Sequence, residues 1–175
     1  MLAASFPPLR FDVAAWIAFV PLFRAIETRV RLWEAGLCGA AFGTAFFFCD
    51  LNWIYVTLRT HGHFASVPAA ALLVSMVLIL ALFPAACATL AAFFSRKGFR
   101  PALTAPFIWV ALEYVRTVGL PDFPLDLVGY SQVERLELIQ IVEVTGIYGV
   151  SFLVLAVNGA LWELFRWAET KQRPP

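Results

Sequence analysis

Charge is scarce in this chain of 175 residues. Asp, Glu, Lys and Arg make up 14% of it, where a soluble domain carries about 25%. Thirteen basic residues stand against twelve acidic ones, a net charge of +1, so the overall charge gives no sign of a nucleic-acid partner. Cysteine is equally sparse. Cys38, Cys49 and Cys87 are an odd number, have no C-x-x-C spacing and each lie in an apolar run. This argues against a disulfide framework or a zinc site, and each is expected to pack as a small hydrophobe. The two histidines, His61 and His63, form H-G-H, too few ligands for zinc. No Gly-rich phosphate loop and no internal repeat is visible, and no His or Asp stands at a telling distance from Ser131 to make it a nucleophile. The start, "MLAASFPPLRFD", lacks the basic region and apolar core of a signal peptide.

What is abundant is apolar residues: 61% of the chain, with a mean hydropathy of +0.79. Phe64 to Phe94 and Val144 to Trp162 contain no charged residue. A hydrocarbon core about 30 Å thick needs roughly 20 such residues in a helix. The runs Ala35 to Leu58 and Pro101 to Leu120 are also long enough, although Asp50 interrupts the first and Glu113 and Arg116 the second. A fifth run, Val13 to Ile26, reaches only about 21 Å as a helix and holds Pro21. It reads as a short span or a segment dipping into the interface. The pattern predicts an all-α polytopic transmembrane bundle of about five spans, near 13–26, 35–58, 68–94, 102–120 and 140–165, in a single domain over 1–175. The runs lack the polar–apolar alternation of a membrane β-barrel.

Basic residues orient the helices. Arg24, Arg29, Arg31, Arg96, Lys97, Arg100, Arg166, Lys171 and Arg173 are nine of the thirteen and fall on one side. The positive-inside rule makes that side cytoplasmic. The loop "RTHGHF" and the stretch "DFPLDLVGYSQ" then face outward, as does Met1. A chain that starts on the outside is expected to lack a first span, through a truncated or misassigned start. Pro121 and Pro124 stop the preceding helix and Gly129 allows a turn. Pro121 to Glu137 becomes an outer connection in which Phe123, Leu125, Leu127, Val128 and Tyr130 dip into the interface. Contact with a lipid substrate and a plain anchor between spans suit it equally.

Charged side chains within spans are costly and need a reason. Asp50 lies about 22 Å and Glu113 about 17 Å from the cytoplasmic ends of their helices. Arg116 follows Glu113 by three, on the same face, so the two can neutralise each other. Glu143 begins the last helix. These acids fall in the outer half of the bilayer and are candidates to line a cavity open outward. Asn52, beside Asp50, can instead bond a neighbouring helix. Trp53, Tyr55, Trp109 and Tyr114 read as interfacial-belt aromatics.

Five segments carry a family resemblance: "SFPPLRFD" with "WIAFVPLF", "LNWIYVTLRTHG", "APFIWVALEYVRT", "FPLDLVGYSQ" and "LIQIVEVTGIYGVSFLVLAVNGAL". In this order and spacing, from about Ser5 to Leu161, the chain resembles the membrane part of the bacterial apolipoprotein N-acyltransferases. The resemblance implies an inner-membrane enzyme of lipoprotein maturation, multi-pass, with a periplasmic functional face. Such enzymes move an acyl chain from a membrane phospholipid to the α-amine of a diacylglyceryl-modified N-terminal cysteine. A Glu-Lys-Cys set in a nitrilase-like domain does the chemistry through a thioester.

That α/β domain and the family's first helix have no counterpart in this sequence, so no catalytic residue, metal ligand or cofactor is assigned. The chain is expected not to be catalytic alone. The lipoprotein substrate would be reached through the missing domain, which a separate gene could encode. Many members carry Trp where this chain has Leu125, and Asp50 is unexpected at its place. Asn52, Trp53, Tyr55, Glu113, Arg116, Tyr130, Ser131, Gln132 and Glu143 match the family's motifs and are the candidates for lipid contact or for ties beneath the catalytic domain. The alternatives are a stand-alone lipid-binding or scaffold protein in the membrane, a relic of a truncated gene or, more weakly, a small transporter.

Overall fold

A computed structural model describes residues 1–6, 9–28, 31–119 and 126–171. Every regular element among them is helical. Two short 3₁₀ turns, Leu2–Ser5 and Asp12–Trp16, precede α1 (Val20–Thr28), α2 (Leu32–Asp50), α3 (Asn52–Thr60), α4 (Ser66–Arg96) and α5 (Pro101–Gly119). A 3₁₀ turn over Val128–Gln132 follows, then α6 (Leu136–Ile139), α7 (Val142–Thr145) and α8 (Ile147–Lys171). This is the all-α, membrane-type bundle that the uncharged runs predict. α2, α4 and α8 are long and apolar enough to cross a membrane.

Small residues let the helices approach closely. α2 runs antiparallel to α4 along Gly36, Gly39 and Gly43, which face Thr89, Pro84, Ala85, Ala88 and Ala81. Without side chains on α2 at these points, the two backbones meet, and dispersion contact replaces the hydrophobic drive that lipid cannot supply. The ring of Pro84, in mid-helix, fits where Gly43 has no Cβ. Pro106 lies inside α5 and has no N–H to offer the carbonyl of Ala102, four residues earlier. That carbonyl oxygen lies 2.5 Å from where a Cβ on Gly159 of α8 would stand. Pro68, in the first turn of α4, sits where no N–H is required.

Two of the expected runs are not single helices, and the last helix begins later than expected. Residues 13–26 are not one helix: a 3₁₀ turn and a turn at 17–19 lead into α1 at Val20. The 35–58 run divides at Leu51, fully buried at φ −87°, ψ 5°, where α2 ends and α3 begins. The last long helix starts at Ile147 and not at 140, because Gly146 adopts φ +65°, a conformation glycine reaches without strain.

One end of the bundle gathers positive charge. Glu163 of α8 accepts from Arg100 and Arg166, each at 2.8 Å, and Arg166 reaches Glu27 of α1 at 3.7 Å. The other end holds the 128–132 turn.

Candidate functional site

At the turn end, polar side chains inside the helices reach out to the loop. Glu113 of α5 is 4% exposed. Its Oε1 accepts from the indole N–H of Trp109 at 2.9 Å, one turn back on the same helix, and from the backbone N–H of Val128 at 2.8 Å. Ser151 of α8, fully buried, accepts from the backbone N–H of Gly129 at 2.8 Å and stands beside the Glu113 carboxyl. A Cβ on Gly129 would meet the carbonyl oxygen of Ile147 at 2.6 Å, so only glycine fits this approach to α8.

The rest of the turn is tied to the N-terminal segment. Gln132 is buried; its Oε1 accepts from Trp16 Nε1 at 3.0 Å, and its Nε2 donates to the Asp12 carbonyl and to Ser131 Oγ, both at 3.1 Å. Ser131 donates to the Val128 carbonyl at 2.6 Å. Two ion pairs fasten the same segments from outside: Arg10 with Glu134 at 2.6 Å, and Arg135 with Asp12. Within 128–132 only Tyr130 is exposed. It borders a polar cleft of about 120 Å³ with Ser5, Arg10, Asp12, Ser131 and Glu134.

Arg116, 3% exposed, lies below the loop. Its guanidinium carbon stands 5.6 Å from the Phe47 ring centre and 6.0 Å from that of Phe83, and its Nη2 reaches the Asp126 carbonyl at 3.4 Å. It and Glu113 attract each other electrostatically, but Glu113 spends its hydrogen bonds on Trp109 and Val128. The Asp126 carboxyl, at φ +57°, meets that of Asp50 at the end of α2. Burial raises the Asp126 carboxyl above the ordinary aspartate range, while Asp50 as its hydrogen-bond partner and the charge of Arg116 pull the other way. Between Glu113, Arg116, Phe47, Phe83 and Trp109 the packing leaves only about 10 Å³, the space of a single water.

Of the nine candidates, the structure joins Glu113, Ser131, Gln132 and Tyr130 in one arrangement, with Arg116 beside them. Asn52 and Trp53 are exposed on α3, and Tyr55 is half-buried there. Tyr55 borders a shallow apolar hollow of about 540 Å³ with Ser66, Val67, Ala70, Ala71 and Val74. Glu143 is exposed on α7, so the expected acids do not line one common cavity. Trp109 is no belt residue: it is buried, bonded to Glu113 and edge-on to Phe19 at 4.9 Å. Cys49 is exposed and Cys38 half-buried, and only Cys87 packs fully in the interior. Phe123 and Leu125 lie outside the described residues.

Sequence reasoning passed over Ser151, Asn158 and Asp126. Ser151 and Asn158 sit in the uncharged run from 144 to 162 and are both fully buried. Their seven-residue spacing puts them on one face of α8, and that was the available signal. Asn158 accepts from the backbone N–H of Phe19 at 2.9 Å and donates to the carbonyls of Ala15 at 2.9 Å and Val154 at 2.8 Å.

Fold and site together define a helical membrane protein in which buried polar side chains hold an ordered turn at one end of an apolar bundle. The chain belongs to a family described as the apolipoprotein N-acyltransferase N-terminal domain, whose model matches residues 1–160. It is 35% identical to the apolipoprotein N-acyltransferase of Geobacter metallireducens over 175 residues, all of this chain and 33% of that protein. It is 35% identical to that of Coxiella burnetii over 173 residues, 94% of this chain and 35% of the relative. With the enzyme of Nitrosomonas europaea it shares 34% identity over 141 residues, 79% of this chain and 28% of the relative. The chain thus spans about a third of the length of the curated relatives it matches.

Proposed function

We propose that this chain is the membrane domain of an apolipoprotein N-acyltransferase, at work in lipoprotein maturation. In that reaction the acyl ester bond of a phospholipid breaks, an amide forms on the α-amine of a lipoprotein's diacylglyceryl-cysteine, and lysophospholipid leaves. The match of residues 1–160 to the family carries this reading. The covalent step belongs to a Glu-Lys-Cys set on a nitrilase-like domain, joined to this segment or encoded apart from it. Cys87 is buried against the Ala105 carbonyl and Cys49 faces outward from α2, placements that suit packing and lipid contact better than a nucleophile.

The domain sits in the bacterial inner membrane with its turn end toward the periplasm and crosses it about five times. One observation and one rule support this orientation. The ion pairs of Glu163 and Arg166 bring the ends of α1 and α8 and the start of α5 together at the basic end, and basic residues favour the cytoplasmic side. At the opposite end, Tyr130 on the turn, Asn52, Trp53 and Tyr55 on α3, and Glu143 on α7 touch lipid. Glu113, Arg116, Ser131 and Gln132 are the ties beneath them. The hollow beside Tyr55 is apolar and of a size to take part of an acyl chain.

The test is complementation. A strain depleted of its own N-acyltransferase receives this chain alone, this chain joined to the rest of the Geobacter metallireducens relative, or that rest alone. Mass spectrometry of a lipoprotein N-terminus reads the third acyl chain. The joined protein should restore it and the other two should not. Restoration by the rest alone would remove the membrane domain from the reaction, and failure of a stably inserted joined protein would favour a separate lipid-binding or scaffold role.

A further inference from the structure

We propose that Glu113 is a positioning residue: from inside α5 it fixes the 128–132 turn so that Tyr130, the exposed residue of the turn, is presented to the outer cleft, where it contacts the polar part of the substrate. This deepens the acyltransferase reading and rests on it for the reaction concerned.

Three observations converge. First, an acidic side chain at membrane depth is retained only where something uses it, and Glu113 points one oxygen at the backbone N–H that opens the turn. Second, the turn is held at each end by a buried side chain and closed within. Val128 is bonded to Glu113, Gly129 to Ser151, Ser131 back to Val128, and Gln132 to Trp16 and Asp12. Within the turn every residue but Tyr130 is buried, more restraint than a simple connection between helices needs. Third, the cleft that Tyr130 borders contains a buried hydroxyl with no partner among the described residues. Ser5 is 4% exposed, lines the cleft and makes no hydrogen bond through Oγ among the described residues. Hydroxyls left so are rare in protein interiors unless a ligand or water meets them. The cleft also holds Arg10, Asp12 and Glu134, charges suited to a polar group and not to an acyl tail.

The role assigned to Glu113 is hydrogen-bond acceptance, not charge. Glu113→Gln keeps an acceptor oxygen for Val128, and Glu113→Ala removes it. In this chain held in lipid nanodiscs, hydrogen exchange of the 126–132 segment should quicken about tenfold in Glu113→Ala, the scale of one lost buried bond. It should stay near wild type in Glu113→Gln. Ser151→Ala should quicken the same segment through Gly129. In the joined protein, Glu113→Ala and Tyr130→Ala should each lower acyl transfer by a similar factor. The double variant should lose little more than either alone, because one residue acts through the other.

Activity in Glu113→Gln as poor as in Glu113→Ala would show that the charge matters and overturn the proposal. So would losses that multiply in the double variant, or unchanged exchange in Glu113→Ala. If the wild-type joined protein transfers no acyl group, the acyltransferase reading fails by itself, while the exchange measurements still decide whether Glu113 holds the turn.

Discussion

Gly39 of α2 and Pro84 of α4 meet backbone to backbone. A Cβ on Gly39 would fall against the Pro84 carbonyl oxygen and stand 2.8 Å from Ala88 Cβ and 2.9 Å from Ala85 Cα. The atoms in the way are backbone or short side chains on a packed helix and cannot swing aside. Gly39→Val should therefore destabilise the bundle by about 1–3 kcal/mol, the usual cost of overpacking. Gly119→Ala, with nothing among the described residues within 4 Å of the added carbon, should stay within about 0.5 kcal/mol of wild type. Thermal unfolding in detergent micelles compares the two, and equal effects would mean that α2 and α4 do not pack through this glycine.

Asn158 makes a second, polar tie. It is fully buried and bonds both the Phe19 N–H and the Ala15 carbonyl, joining α8 to the turns that precede α1. Asn158→Leu has nearly the same volume but strands both groups, at about 1–3 kcal/mol for each buried group left unpaired. Ser75→Ala removes only a bond to the Ala71 carbonyl on an exposed helix face and should change stability by less than about 0.5 kcal/mol. The same unfolding experiment ranks them, and a mild Asn158→Leu would show that water reaches Phe19.

These ties mark the limit of what the sequence discloses. Helix class and the long helices follow from uncharged runs, because lipid forces every backbone group into internal hydrogen bonds. Run length does not say where a run breaks. The divisions at Leu51 and Gly146 depend on local backbone angles, to which hydropathy is blind. Nor does it say which way an amphipathic side chain turns. Trp109 looks like a belt residue in composition, yet it faces inward because Glu113, one turn away, gives its N–H a partner. The ties between Arg10 and Glu134 and between Trp16 and Gln132 span more than a hundred residues, and no local pattern announces them.

Asp126 carries a pH prediction. Burial raises its carboxyl above the ordinary aspartate value of 3.8, against the pull of Arg116. A carboxyl that holds its proton more tightly folded than unfolded favours the folded state at low pH. That advantage is lost as pH rises from the ordinary value through the raised one. The contact of Asp126 with Asp50 should accordingly loosen toward neutral and alkaline pH. Asp126→Asn keeps a hydrogen-bonding side chain that cannot ionise. The melting temperature of the variant should pull ahead of wild type as pH rises, with the two converging in acid. Parallel melting curves from pH 4 to 9 would mean that this carboxyl does not sense burial.

The last prediction concerns the two outer ion pairs, and for Asp12 the sign is opposite. Arg135, through its hydrogen bond, holds the Asp12 carboxyl below the ordinary range. A carboxylate so lowered stabilises the folded state above the ordinary value and loses that contribution as pH falls through the lowered one. The pair of Asp12 with Arg135 should therefore hold the N-terminal segment to the end of the turn evenly from pH 5 to 8, and weaken only in strong acid. The Arg10–Glu134 pair is open to solvent on both sides and the Asp12–Arg135 pair on the side of Arg135, so both contribute little and weaken with salt. Proteolysis at Arg10 in detergent reads the release, since cleavage follows the population of the opened segment. Glu134→Arg should raise the cleavage rate at Arg10 about two- to fivefold at low ionic strength, on the scale of one exposed pair. In half-molar salt the difference should shrink toward nothing. The double reversal Asp12→Arg with Arg135→Asp should cleave at the wild-type rate, because it restores the pair with its signs exchanged. A cleavage rate indifferent to all of these would leave Gln132, through Trp16 and the Asp12 carbonyl, as the bond that keeps the segment in place, and charge would have no part in closing the cleft.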